Sequence, residues 1–211
     1  MIIIPLGFIL FAHSIEEDHE RYEAIKQGNS KAFSKFFDQQ YDSLYRYLLN
    51  FGLQHEEVQD LVQHSFIYIW DHRAQIDSSR SLKAYLFAIG YSRMLNYLRD
   101  QKKIDHPENL DFFGTLEDPT FNENSLSTKI DRDAITDQQK HTQIMIQQAI
   151  ESLAPKRQEA FRLCYLEHFS YAEAAEIMGI SKKTIEHHMS LALSDLREKL
   201  KNLAPNLRGS Q

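Results

Sequence analysis

Residues 170–201 read SYAEAAEIMGISKKTIEHHMSLALSDLREKLK. Ser170-Tyr171-Ala172-Glu173 has the form of a capping box, in which a serine hydroxyl and a glutamate three residues on satisfy each other's open backbone amides. It predicts a short helix ending at Met178. Gly179 then supplies a tight turn that a side chain would hinder. Ser181 suits the N-cap of a second, longer helix. In that helix Ile185, Met189, Ala192, Leu196 and Leu200 share one stripe, while Lys182, Lys183, Glu186, His187 and Ser190 lie largely off it. With a supporting helix from residue 156, the pattern is a helix-turn-helix. Such a unit sets the start of its second helix in the major groove of DNA. Lysines there reach phosphates, and Thr184, His187, His188 and Ser190 offer donors and acceptors to base edges. The competing reading is an ordinary helix with a solvated polar face.

Upstream the spacing is helical almost throughout. Phe33, Phe36, Phe37, Tyr41, Leu44 and Leu48 form one face, and Gly52 is expected at the C′ position beyond it. Val58, Leu61, Val62, Phe66, Ile69 and Trp70 form another, with Glu56, Glu57 and Asp60 near the helix start where the dipole favours acids. A third helix is expected from about Leu82 to Lys102. There Leu82, Leu86 and Ile89 oppose Phe87, Tyr91, Met94, Leu95 and Leu98, so either both faces are covered or the helix bends near Gly90. Ile146, Ala149, Ile150 and Leu153, then Phe161, Cys164, Tyr165 and Phe169, carry the period to the helix-turn-helix.

Between them the pattern stops. Residues 104–139 hold nine acids and two bases, a net of −7 against −6 for the whole chain, so the rest is +1. The acidic total therefore does not argue against nucleic acid. A patternless stretch of this length reads as a linker between domains. The expected fold class is all-α: two small helical domains joined by an acidic flexible linker, at 15–103, 104–140 and 141–203, with a tail at 204–211. Residues 1–14 form an apolar extension. Its run from Met1 to Ala12 lacks a leading basic residue and is too short to span a bilayer. The single cysteine, Cys164, forms no internal disulfide, which fits a reducing cytoplasm. The ten histidines contain no His-Glu-x-x-His motif, and no phosphate-binding glycine loop occurs. An enzyme is not expected, nor a metal, a cofactor or a small-molecule substrate.

Three segments together resemble bacterial RNA polymerase sigma factors of the extracytoplasmic-function (ECF) group. Asp60-Leu61-Val62-Gln63-His64-Ser65-Phe66-Ile67-Tyr68-Ile69-Trp70 is similar to the family's polymerase-binding helix. Ser81-Leu82-Lys83-Ala84-Tyr85-Leu86 through Asn96-Tyr97-Leu98-Arg99-Asp100 is similar to its promoter-melting region, and Ala174 to Glu186 to its last conserved region. The resemblance covers about residues 20–103 and 143–201. It implies that Asp60, Gln63, Phe66 and Trp70 bind core RNA polymerase, Asp60 and Gln63 through the clamp helices. It implies that Tyr85, Tyr91, Ser92, Arg93, Asn96, Arg99, Lys102 and Lys103 melt and read a minus-ten element. Ser181, Lys182, Lys183, Thr184, Glu186, His187, His188 and Ser190 would read a minus-thirty-five element. The linker would thread toward the polymerase active site and RNA exit path. An anti-sigma factor, often membrane-bound, is an implied partner. Many relatives carry Asn where this chain has Ser92, which leaves the minus-ten preference open.

The residues alone say less. Periodicity leaves Asp60 and Gln63 on a solvated face. Aromatics among basic residues suit the holding of unstacked bases, at about 1–3 kcal/mol per base, yet Tyr85 and Phe87 suit a core equally well. A stand-alone helix-turn-helix regulator is the chief alternative, and a protein adaptor a further one.

Overall fold

A computed structural model describes residues 20–77, 80–105 and 137–207, with backbone alone at 102–105, 137–143 and 202–207. The apolar extension, residues 106–136 of the acidic stretch and the last four residues lie outside the described residues, as do the expectations placed on them. The chain divides into two compact units, Met1–Thr115 and Leu116–Gln211. Among the described residues both are helical and neither holds a strand.

The N-terminal unit packs three long helices, α2 (Ser30–Leu49), α3 (His55–Asp71) and α4 (Leu82–Asp105), against one another. A short helix the apolar spacing did not reveal, α1 (residues 20–26), adds buried Tyr22 and Ile25. The Tyr22 hydroxyl donates to the Asp77 carbonyl at 2.9 Å, and burial, aided by Asp77, pushes its pKa up to about 12. Asn29 starts α2 by accepting from the amides of Lys31 and Ala32. Asn50 closes it, so Gly52 (φ +77°) falls one position later than the C′ site expected of it.

Helix α4 runs unbroken through Gly90. Both of its faces are used because it packs on α2 with one and on α3 with the other. At Gly90 α4 lies tight against α2. A Cβ there would stand 2.9 Å from Leu44 Cδ1, and Leu44 is fully buried. The apolar residues that looked contradictory on one helix are two seams of one core.

The C-terminal unit comprises α5 (Asp137–Glu151), α6 (Pro155–Phe161), α7 (Tyr171–Met178) and α8 (Lys182–Leu207). Met145, Ala149, Ile150 and Leu153 are buried, whereas Ile146, expected inside, is exposed. After α6 the backbone widens into a π-helical turn, Arg162–Leu166. That extra residue per turn rotates the downstream side chains. Tyr165, placed in the core by periodicity, is accordingly 59% exposed, stacked on Phe161 at 4.9 Å. Cys164 is half-buried, and burial pushes its thiol up to about 11, which suits packing and not reactivity.

Candidate functional site

Helix α3 has a dry side and a wet side. On the dry side Phe66 meets Phe33, Phe36 and Phe37 of α2 at centroid distances of 6.3, 5.8 and 4.7 Å. It is only 2% exposed, so Phe66, expected at the polymerase, supports the helix from beneath. Trp70 is half-buried. It lies against Phe33 at 4.9 Å and under the Arg73 guanidinium at 4.4 Å, a cation–π contact. Buried Ser65 spends its hydroxyl on the Leu61 carbonyl at 2.6 Å.

On the wet side Asp60, Gln63 and His64 are exposed, and Ile67 joins them at 54% exposure. Asp60, Gln63 and Ile67 stand at i, i+3 and i+7, one stripe of a helix. Ile67 stands in the quoted motif but outside the apolar face read from the spacing, and it received no role there. Its phase, shared with Asp60 and Gln63 and not with Val62 and Phe66, was the available signal.

Along α4 the expected minus-ten residues divide. Ser92, Asn96 and Arg99 are exposed, and Arg99 lies 3.7 Å from Asp100. Arg93 is half-buried with its guanidinium 5.5 Å from the Tyr68 ring, itself stacked on His72 at 4.0 Å. Tyr85 is half-buried beside Tyr68. Its pKa is raised first by burial and then by that neighbour. Tyr91, expected at DNA, is 3% exposed and packs in the core on Phe51 at 6.0 Å. Phe87, left open, is fully buried. Lys102 and Lys103 lie in the last turn of α4 with undescribed side chains.

The helix-turn-helix forms as its local chemistry dictates. The Glu173 amide donates to Ser170 Oγ at 3.3 Å and the Ser170 amide to Glu173 Oε2 at 2.8 Å. Gly179 takes the left-handed conformation, φ +66°. Ser181 Oγ accepts from the Thr184 amide at 3.1 Å and lies 2.7 Å from Thr184 Oγ1, so both hydroxyls are engaged in the cap. Ile185, Met189, Ala192 and Leu196 are buried, though Leu200 is exposed. Lys182, Lys183, Glu186, His187 and Ser190 face outward together. Lys182 approaches Glu186 at 3.9 Å across one turn, a weak exposed pair. Helix α6 braces α8 through Arg157 to Asp195 at 2.7 Å.

His188 differs from its neighbours. Its ring is half-buried, and Nδ1 is enclosed with no hydrogen-bond partner among the described residues. Burial lowers its pKa, and His187 on α8 with Arg157 and Lys156 on α6 lowers it further. The folded state thus binds this proton less readily than the unfolded chain. The resulting stability is complete above the ordinary imidazole range and is lost as pH falls toward the lowered value. We expect the melting temperature to fall between pH 7 and 5, and His188→Gln to flatten part of that slope. Identical slopes in parent and variant would discard the assignment.

Two family models match the chain. Sigma-70 region 2 matches residues 36–104, and Sigma-70, region 4 matches residues 143–196, together more than half of the sequence. Related proteins include the ECF RNA polymerase sigma factor SigW of Bacillus subtilis (strain 168), 23% identical over 184 residues. That match covers 87% of this chain and 97% of SigW. The chain belongs to the sigma-70 family, in its ECF group. A second relative is the RNA polymerase sigma factor NccH of Alcaligenes xylosoxydans xylosoxydans, 26% identical over 185 residues and covering 87% of this chain and 93% of NccH.

Solved sigma factors share the fold. CnrH, solved in complex with the cytosolic domain of CnrY, aligns with a TM-score of 0.58 at 20% identity, over 88% of this chain and 97% of that one. RpoE of Bartonella quintana, solved with the anti-sigma factor NepR, aligns with a TM-score of 0.56 at 23% identity, over 81% of this chain and 98% of that one. In this sigma factor region 2 spans the seams of α2, α3 and α4, and region 4 takes in α7, the Gly179 turn and α8 as far as Leu196. Among the described residues no group of three or more His, Cys, Asp or Glu side chains is placed to hold a metal ion. Nor is any helix among them long and apolar enough to cross a membrane.

Proposed function

We propose that this sigma factor joins core RNA polymerase through the wet face of α3 and reads promoter DNA with α4 and α8. It directs promoter-specific initiation. Asp60, Gln63 and Ile67 provide the polymerase contact, an exposed stripe held by the aromatic packing beneath. Ser92, Arg93, Asn96 and Arg99 act at the minus-ten element, with Lys102 and Lys103 neutralising backbone charge. Lys182, Lys183, Glu186, His187 and Ser190 act at the minus-thirty-five element. The corresponding division is a polymerase-binding and melting domain at 15–103, a connector at 104–140 and a helix-turn-helix domain at 141–203. Phosphodiester synthesis belongs to the polymerase, and the site of action is the cytoplasm. Because NepR is named as the anti-sigma factor bound to RpoE, a protein antagonist is proposed here as well.

The observation that carries this reading is the order of parts. A helix with a polar stripe over an aromatic core precedes a capped helix-turn-helix in one chain, and each matches its sigma-70 region. A stand-alone regulator has no use for the first. Transcription in vitro tests it, with the purified chain and core polymerase on sheared genomic DNA and starts mapped. Discrete starts preceded by two shared, spaced elements are expected. Sequence-specific duplex binding without any polymerase-dependent start would overturn the reading.

Lys182→Ala and Lys183→Ala are expected to weaken duplex binding broadly and lower the salt slope by about one each where a phosphate contact is lost. Slopes unchanged in both variants would remove the phosphate role.

A further inference from the structure

Glu57 serves two helices at once. It occupies the third position of α3, where its Oε2 accepts from the Gln54 amide at 2.7 Å and completes a capping box. Its Oε1 accepts from the hydroxyl of Tyr97 on α4. That hydroxyl in turn accepts from Gln101 Nε2 at 2.7 Å, one turn further along. A bond to an ionised carboxylate is shorter and stronger than a neutral one. The Tyr97 pKa is raised, chiefly by its donation to Glu57.

Where this relay meets α4 decides what it can do. Among the described side chains of α4 the last buried one is Met94, and from Leu95 to Gln101 each is half-buried or exposed. Core packing is therefore looser from Leu95 to Gln101 than up to Met94. Beyond it stand Asn96 and Arg99, turned to solvent, and Tyr97 between them is tied across to α3. Tyr97 sits among basic residues as a base-stacking aromatic would, yet its hydroxyl is committed to Glu57.

We propose that the Glu57–Tyr97–Gln101 relay is a positioning device for promoter opening: it aims the DNA-facing end of α4 from the start of the polymerase-facing helix. Docking of α3 on polymerase and melting by α4 then share one carboxylate. Tyr97 is a positioning residue in this scheme and need not touch a base. The inference rests on the function proposed above.

The test uses the full chain with core polymerase on a promoter mapped by the transcription experiment. The same promoter is also prepared with a mismatched, already open minus-ten segment. Tyr97→Phe keeps the ring and the α3 cap but removes the tie. It should bind core polymerase within about twofold of the parent, open the duplex roughly five- to tenfold more slowly, and initiate normally from the pre-opened template. Glu57→Gln keeps an acceptor but loses the charge, so it should slow opening in the same direction and by less, and placed on Tyr97→Phe it should add little to the opening defect. Opening by Tyr97→Phe at the parent rate would overturn the relay. So would an equal loss on both templates, which marks a direct DNA contact or a general loss of structure. If the parent chain initiates on neither template, the proposed function fails and the relay falls with it. A parent that initiates while Tyr97→Phe is unaffected removes the relay alone.

Discussion

Phe66→Ala is expected to cost about 3–5 kcal/mol, the range for deleting a buried phenylalanine ring. Folded domains hold only about 5–15 kcal/mol in all, so the variant should leave much of the N-terminal unit unfolded under mild conditions. The reason is geometric. Phe33, Phe36 and Phe37 all pack their rings against this one side chain, so removing it leaves a cavity between α2 and α3. The chain offers a direct probe, because its single tryptophan, Trp70, lies one turn further along α3 against Phe33. Denaturant unfolding followed by Trp70 fluorescence should show the midpoint fall sharply for Phe66→Ala and modestly for Phe66→Leu. Polymerase affinity should follow the folded fraction. A variant that keeps the parent midpoint but loses polymerase would restore Phe66 as a contact residue.

Asp60→Ala combined with Gln63→Ala is expected to do the reverse. Both side chains are exposed, and such substitutions usually change stability by no more than about 0.5 kcal/mol. The Trp70 transition should therefore stay in place. Affinity for core polymerase should fall by tenfold or more, since a few interface side chains commonly carry about 1–2 kcal/mol each. Ile67→Ala should weaken binding further, as the apolar member of the stripe. Fluorescence-monitored titration of core polymerase measures this. Parent affinity in the double variant would show that α3 presents another face to its partner.

The contrast between Phe66 and Asp60 shows where sequence reading stops. Both belong to one quoted motif, and likeness to a family placed both at the polymerase. A motif records which residue types occur together, not whether each supports a surface or forms part of it. Burial separates them, and burial depends on α2, which lies elsewhere in the chain. Tyr91 is the same case on α4, read as a stacking aromatic and found in the core. The helix-turn-helix was legible almost residue by residue, because caps and glycine turns are local. Ser170 with Glu173, and Ser181 with Thr184, bond within three positions of each other.

The sequence by itself determined the all-α class, the main helices, the helix-turn-helix and the family. Each rests on short-range periodicity, caps or ordered motifs, which a linear reading can contain. Only the tertiary structure decided that α4 runs unbroken through Gly90 with two seams, that a π-turn brings Tyr165 to the surface, and that Glu57 ties α3 to Tyr97. Those outcomes depend on side chains 40 or more positions apart in the chain meeting in space, as Glu57 and Tyr97 do, and on a backbone hydrogen-bond shift that leaves the residue types unchanged.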